Sequence, residues 1–335
     1  MTSELLTRAR AGDADAFAEM VAAHRRELHV HCYRILGSAQ DAEDALQESV
    51  LAAWQGLGAF EERASLRTWL YRIATNRCLN MVRAGNRRPR SYEERPDLLL
   101  PEATQADEPL WLEPYPDELL GELPDQAPGP EPRYEMHEAI SLAFVTALQL
   151  LPARQRAALI LHDVLGYRAS EVAAMLESTE ESVTSALKRA RARLAQRLGE
   201  HDREPPPAPG SVEERSVVER LTTAFEGGDV SALIAMLTED VRLSMPPLPF
   251  EYRGLEAATR FLTQVVHAGP RPRRLVHTRA NGQPAFGVYV RDDRDGIYRA
   301  VGLIVATLAG DRVAGLTRFE NSLLPDFGLP RSLPS

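Results

Sequence analysis

Apolar positions recur at helical spacing through roughly the first two hundred residues. In Asp41–Trp54, DAEDALQESVLAAW, Ala42, Ala45, Leu46, Ala53 and Trp54 predict one core-facing stripe. Ser38 is placed to cap this helix, and Asp41, Glu43 and Asp44 sit in its first turn, where carboxylates suit the positive end of the dipole. The opposite face carries Asp44, Gln47, Glu48, Leu51 and Gln55. Ser65 predicts the cap of a second helix, buried through Leu66, Leu70, Ile73, Leu79 and Val82. Its other sides hold Arg67, Arg72, Asn76, Arg77, Asn80 and Arg83, with Trp69 and Tyr71 among them, and it runs out into Arg87, Arg88 and Arg90.

Residues 133–200 read as a long helix ending at Gly166, then a short helix capped by Ser170 with Glu171 just inside it. A turn at Glu177–Thr179 leads into a last helix whose stripe is Val183, Leu187, Ala190, Leu194 and Leu198. The far pole presents Glu181, Ser185, Lys188, Arg189, Ala192 and Gln196, flanked by Thr184, Arg191 and Arg193. A short helix, a tight turn and a longer basic helix is the pattern of a helix-turn-helix, whose second helix enters a major groove.

Beyond residue 211 the pattern changes. Two helices flank Gly227–Gly228–Asp229, a strand is predicted at DVRLSMPP, and a third helix at GLEAATRFLTQVV. Strand-like alternation follows near Arg274–Ala280, Ala285–Arg291, Tyr298–Ala309 and Arg312–Ser322. Helices first, then an antiparallel sheet, make an α+β domain. Two breaks separate the blocks. Residues 96–132 are rich in proline and acids, with no Lys or Arg between Arg95 and Arg133, and read as an extended linker with short helical turns around Glu118–Leu123. Residues 201–211 are a stiff proline spacer. The expected domains are therefore 1–95, 133–200 and 212–325, with a mobile tail at 326–335, for which the alternative is docking through Leu323–Phe327.

Composition narrows the function. A chain of 335 residues with 44% hydrophobic and 26% charged residues is globular, and no apolar run is long enough to suggest a membrane span. Cys32 and Cys78 make no disulfide framework, which fits a reducing cytoplasm. A net charge of −9 argues against indiscriminate binding to nucleic acid. The crowding of Lys188, Arg189, Arg191, Arg193 and Arg197 therefore reads as a local DNA contact. His24, His29, His31 and Cys32 resemble a zinc set only in composition, since helical spacing points them apart; no metal or other cofactor is expected.

Three stretches together, ILGSAQDAEDALQESVLAAW, RASLRTWLYRIATNRCLNMVR and LPARQRAALILHDVLGYRASEVAAMLESTEESVTSALKRARARL, resemble the sigma-70 family, extracytoplasmic-function (ECF) group. The resemblance implies a factor that binds core RNA polymerase and directs it to promoter DNA. It makes 1–95 region 2, an all-α bundle, and 133–200 region 4, the helix-turn-helix. It assigns Asp41, Asp44, Gln47, Glu48 and Leu51 to the β′ clamp helices, and implies a further contact with the β flap. Arg67, Trp69, Arg72, Asn76, Arg77, Asn80, Arg83, Arg87 and Arg88 would contact the −10 element, with a base-reading loop at about Ala59–Ser65. Ser170, Glu181, Ser182, Thr184, Ser185, Lys188, Arg189 and Arg191 would contact the −35 element. Thr184 and Ala186 depart from the pattern, since many relatives carry Lys and Arg there. The acidic linker would thread near the polymerase active centre and imitate nascent RNA.

The third block, through AFEGGDVSALIAMLTEDVRLSMPP and its element order, resembles the SnoaL-like group of cone-shaped α+β barrels. The resemblance implies a regulatory module contacting its own sigma domains, and is compatible with a small-molecule ligand there. Acid/base candidates would be Asp240, Tyr252, His267, His277 and Glu320, but no spacing commits a pair to catalysis, and no enzyme activity is expected. The competing readings are a stand-alone helix-turn-helix regulator and a DNA-tethered SnoaL-like enzyme.

Overall fold

The computed structural model describes residues 2–85, 100–106, 112–121, 140–198, 204–267 and 271–334. The chain divides into two compact units: Met1–Pro89 with Leu119–Glu200, and Arg90–Glu118 with His201–Ser335.

The first unit is helical. It opens with α1 (Thr2–Arg10), α2 (Ala14–Ala22), α3 (Arg25–Leu36) and α4 (Ala39–Gly56). A 3-10 turn at Leu57–Ala59 then precedes α5 (Leu66–Gly85). The caps read from the sequence hold: Asp41 N–H donates to Ser38 Oγ at 3.1 Å, and Thr68 N–H to Ser65 Oγ at 3.1 Å. Leu28, Tyr33, Ile35, Leu46, Tyr71 and Cys78 close the core between α3, α4 and α5. Each large apolar side chain there stabilises by about 1.5–3 kcal/mol. Tyr71, expected on an exposed side of α5, is 1% exposed. Leu66, Ile73 and Val82, expected inside, are only half-buried. The buried arc of α5 is centred instead on Leu70, Ala74, Cys78 and Tyr71, because α3 packs against that side.

The long helix expected before Gly166 is two helices, α6 (Leu142–Gln149) and α7 (Ala153–Leu159). Pro152 has no N–H to continue the first, and it disfavours helical geometry in the residue before it. From Ile160 to Val164 the backbone widens into a π turn, and Gly166, at φ +74°, ends it. The helix-turn-helix follows as α8 (Ala169–Met175) and α9 (Glu180–Leu198). Ser170 is not the cap of α8. Arg168 holds that position, and its N–H donates to Glu171 Oε2 at 2.8 Å.

Within this unit the two helical blocks pack on each other. The end of α3 meets α6 and α7, where Gln149 Nε2 donates to Arg34 O at 3.2 Å. Arg156 is 6% exposed. Its guanidinium donates to Gln149 O at 2.8 Å, to Leu151 O at 3.1 Å, and to Ile35 O and Gln149 Oε1. Gly37, at φ +77°, ends α3 here, and a Cβ on it would lie 2.9 Å from Gln149 Cδ.

The second unit is α+β. Its helices are α10 (Val212–Glu226), α11 (Val230–Ala235) and α12 (Leu255–His267). Its strands are β1 (Gln105–Ala106), β2 (Leu237–Ser244), β3 (Phe250–Arg253), β4 (Arg273–Ala280), β5 (Gln283–Arg291), β6 (Tyr298–Ala309), β7 (Arg312–Phe319) and β8 (Ser332–Leu333). The order is β1-β3-β2-β7-β6-β5-β4, with β8 against β6. The expected all-antiparallel sheet is mixed, because β2 runs parallel to β7. Val217, Leu221, Leu233, Val241, Leu262, Phe286 and Val313 belong to the core that joins helices and sheet.

Two expected loose segments are held to this unit. In the linker, β1 adds to β3, and Tyr252 Oη donates to Pro101 O at 2.9 Å. Further on, Tyr115 is 0% exposed. Its N–H donates to Asn281 Oδ1 at 2.8 Å, and Asn281 N–H returns a bond to Tyr115 O at 2.8 Å. Asp117, in a helical turn at Asp117–Leu120, pairs with Arg279 at 3.1 Å and accepts from Gly282 N–H at 2.8 Å. The tail expected to be mobile at 326–335 is docked across residues 326–334. A 3-10 stretch at Asn321–Phe327 buries Leu324 and Phe327, Leu329 follows them, and Tyr289 Oη donates to Pro330 O at 2.7 Å. Proline-rich segments lose little backbone entropy on docking, and their carbonyls remain good acceptors.

Candidate nucleic-acid interface

Between α4, the 3-10 turn and α5 lies a cavity of about 550 Å³ lined by Ala52, Gly56, Ala59, Trp69, Arg72, Ile73, Asn76, Arg77 and Asn80. The local sequence builds it. Trp69 stacks on Phe60, ring centroids 4.7 Å apart and planes at 28°. The absent side chain of Gly56 leaves room beside it, since a Cβ there would sit 3.6 Å from the indole. Small residues at 52, 56 and 59 form one wall, while Asn76 and Asn80, one turn apart, present amides on the other. An aromatic plane, amide donors and acceptors, and two guanidinium groups suit an unstacked base and its phosphate.

Five of the nine −10 candidates meet here: Trp69, Arg72, Asn76, Arg77 and Asn80. Arg83 lies one turn beyond and donates to Asn80 Oδ1 at 3.4 Å. Arg87 and Arg88 lie outside the described residues. Arg67 does not reach the cavity: its guanidinium is held by Glu27 at 2.9 Å and lies over the Tyr71 ring, 4.8 Å from the centroid. Burial alone would raise the Glu27 carboxyl, but hydrogen bonds and charge from His24 and Arg67 hold it below the usual glutamate range. Arg67 thus braces α5 to α3. Ala59 begins the expected base-reading loop, whereas Ala52, Gly56 and Ile73 were missed; the spacing of small residues at the end of α4 was the available signal.

The histidine cluster disperses. His24 Nδ1 lies 2.6 Å from Glu27 Oε1, His29 faces Glu43, Cys32 lies by Cys78, and His31 Nε2 lies 2.8 Å from Thr75 Oγ1. Burial holds His31 down to about 3.

In the helix-turn-helix, Val172, Val183, Leu187 and Ala190 are buried. Thr179 Oγ1 accepts from Ser182 N–H at 3.2 Å and starts α9. Ser170, Glu181, Ser182, Thr184, Ser185, Lys188, Arg189 and Arg193 are exposed. Thr184 Oγ1 turns back to Glu180 O at 2.9 Å. Arg191 is tied to Asp163 at 2.6 Å, so it reaches DNA only by giving up that pair. Lys188 and Arg189 have no ion-pair partner among the described residues. Lys188 is also the only lysine in the chain. An amine-acylating reagent therefore labels Lys188 and the α-amino group, and promoter DNA in the holoenzyme should slow acylation of Lys188 at least tenfold. Equal rates with and without DNA would remove Lys188 from the interface.

Family models match in chain order: "Sigma-70 region 2" at residues 20–88, "Sigma-70, region 4" at 141–194, and "SnoaL-like domain" at 218–320. The ECF RNA polymerase sigma factor SigG of Mycobacterium tuberculosis is 38% identical over 335 residues, covering 97% of this chain and 86% of SigG. The chain belongs to the ECF RNA polymerase sigma factors. SigM of the same organism is 32% identical over 197 residues, covering 59% of this chain and 84% of SigM. The crystal structure of the ECF sigma factor SigJ, also from that organism, superposes with a TM-score of 0.59 at 22% identity, covering 94% of this chain and 99% of SigJ. It shares the fold.

As an ECF sigma factor, the chain is a transcription factor that binds core RNA polymerase and promoter DNA. On α4, Asp44, Gln47, Glu48 and Leu51 are all exposed, Leu51 at 57%, while Asp41 is half-buried in the first turn. In the SnoaL-like domain the acid/base candidates have separate surroundings. Tyr252 is spent on Pro101, His277 stands at 3.3 Å from Thr222, and Glu320 lies 3.9 Å from Arg318. Asp240 is half-buried on β2, and His267 ends α12, its side chain outside the described residues. No helix among the described residues is long and apolar enough to cross a membrane.

Proposed function

We propose that this sigma factor grips the β′ clamp helices through Asp44, Gln47, Glu48 and Leu51, and sets α9 into the −35 major groove through Lys188 and Arg189. It flips a −10 base into the cavity of Trp69, Asn76 and Asn80. Region 4 contacts the β flap. The factor acts in the cytoplasm, where its polymerase works.

The SnoaL-like domain regulates initiation by holding the linker. The observation that carries this is the reciprocal pair between Asn281 and Tyr115, with Asp117 locked on Arg279 and Gly282 N–H. A linker so held is not free to thread toward the polymerase active centre. A small ligand acting on the domain would change how firmly the linker is kept. The sign of the effect then follows: release of the linker activates.

The test is run-off transcription with core enzyme on a promoter library. Asp44→Arg with Glu48→Arg should abolish both co-purification with core and start-site selection. Asn281→Ala should leave co-purification intact and raise transcript yield several-fold. Unchanged co-purification in the first variant would remove the α4 face from the interface. Unchanged or lower yield in the second would remove the linker clamp as a brake.

A further inference from the structure

We propose that one end of the SnoaL-like sheet, carrying Arg274, Arg291, Arg294 and Arg331, is a contact surface for the phosphates of duplex DNA.

Between Arg271 and Arg299 the chain has seven arginines and three aspartates, and no glutamate, within a protein of net charge −9. Six of the seven arginines gather at one end of the sheet, where β4 begins, β5 ends and β6 begins; the seventh, Arg279, is at the other end with Asp117. The strand register sets this. Arg274 stands opposite Tyr289, and Arg291 opposite Tyr298. The docked tail adds Arg331 beside them, since Ala300 N–H donates to Arg331 O at 3.0 Å and Ser332 pairs with Arg299.

The aspartates do not neutralise this end. Asp292 and Asp295 are both taken by Arg299, at 3.1 and 2.5 Å, and Asp293 lies 3.5 Å from Arg271. Arg291, Arg294 and Arg331 are exposed, with no ion-pair partner among the described residues. Arg274 Cζ lies over Tyr298, 4.3 Å from the ring centroid, and the guanidinium donates to Pro334 O at 3.1 Å. Arg274 is therefore held in place, and the backbone positions of Arg291 and Arg331 are fixed by strand pairing, so the charges are spaced by the sheet.

Duplex DNA is the polyanion this surface meets. The tether to the helix-turn-helix is short, because α9 ends at Leu198 and Pro205 O already accepts Gly310 N–H at 3.1 Å. The six residues between can span about 25 Å at most. Gly310 follows the far end of β6 from the arginines, so a duplex seated on α9 meets them by running about 40 Å along the sheet beyond the tether, and the contact carries no sequence information of its own.

The test uses the full chain assembled with core polymerase, on a 60-bp duplex of random sequence, titrated from 50 to 300 mM KCl. Arg291→Gln, Arg294→Gln and Arg331→Gln are combined; all three are surface positions, and an unchanged melting curve confirms folding. A second variant, Lys188→Gln with Arg189→Gln, measures the recognition helix separately. Each phosphate contact contributes about 0.9 to the slope of log K against log salt. The triple variant should flatten that slope by about 2, beyond any change in the second variant. A slope equal to wild type overturns the proposal. So does an unchanged slope accompanied by weaker assembly with core, which would assign the surface to a protein partner.

Discussion

Arg156→Met should lower the melting temperature of the helical unit by about 6–12 °C. Methionine ends two atoms short of the guanidinium tip but has a similar volume, so most of the packing of the apolar stem is kept. What is lost is the donor set for Ile35 O, Gln149 O and Leu151 O. Each buried acceptor left without a donor costs about 1–3 kcal/mol. Relief from burying a guanidinium with no carboxylate beside it offsets part of this. Burial lowers that guanidinium only to about 10, so it is still charged at neutral pH, facing the negative end of α3. A net loss of about 3 kcal/mol corresponds to the stated shift for a unit of this size.

The same change bears on initiation. A unit of about 170 residues has a radius of gyration of roughly 16 Å, whereas elements about 25 base pairs apart are separated by roughly 85 Å of duplex. On the roles proposed above for α9 and the cavity, the closed unit cannot read both, and in it Glu177 of the helix-turn-helix lies 3.9 Å from Arg72, which lines that cavity. Weakening the Arg156 lock should therefore raise promoter affinity of the holoenzyme while lowering stability. Differential scanning calorimetry with promoter titration checks both, and an unshifted melt would show that the lock contributes nothing.

Acid should destabilise this protein through His31. Its folded-state value is about 3, against an ordinary value near 6.5. The folded protein keeps the imidazole neutral, while the unfolded chain takes up a proton below pH 6.5. Stability is therefore complete above that pH and is lost as pH falls toward 3. Between pH 7 and pH 5 the loss from this one group is about 2 kcal/mol. His31→Leu should flatten the dependence by that amount. Nδ1 has no partner, and Thr75 Oγ1 still donates to Tyr71 O at 2.7 Å, so the replacement strands no buried bond. Urea midpoints at both pH values measure it, and an equal pH effect in wild type and variant would exclude His31 as the source.

What the sequence determined by itself was local. Ser38, Ser65 and Thr179 mark helix starts because a side-chain oxygen three residues away satisfies an otherwise orphaned N–H. The stripe Val183, Leu187 and Ala190 follows from 3.6 residues per turn, and it leaves Lys188 and Arg189 outward whatever packs beneath. The tertiary structure decided what depends on distant partners. Arg67 and Arg72 lie five residues apart on α5, yet one is drawn to Glu27 and the other to the cavity, because α3 approaches only one side. Strands β1 and β3 carry too few residues for periodicity; β3 exists because β2 supplies its backbone bonds, and β1 because β3 does. The linker and the tail read as loose for the same reason: their partners, Asn281 and the outer surface of β5 and β6, are distant in sequence, and no local pattern encodes a contact made only after the sheet has formed.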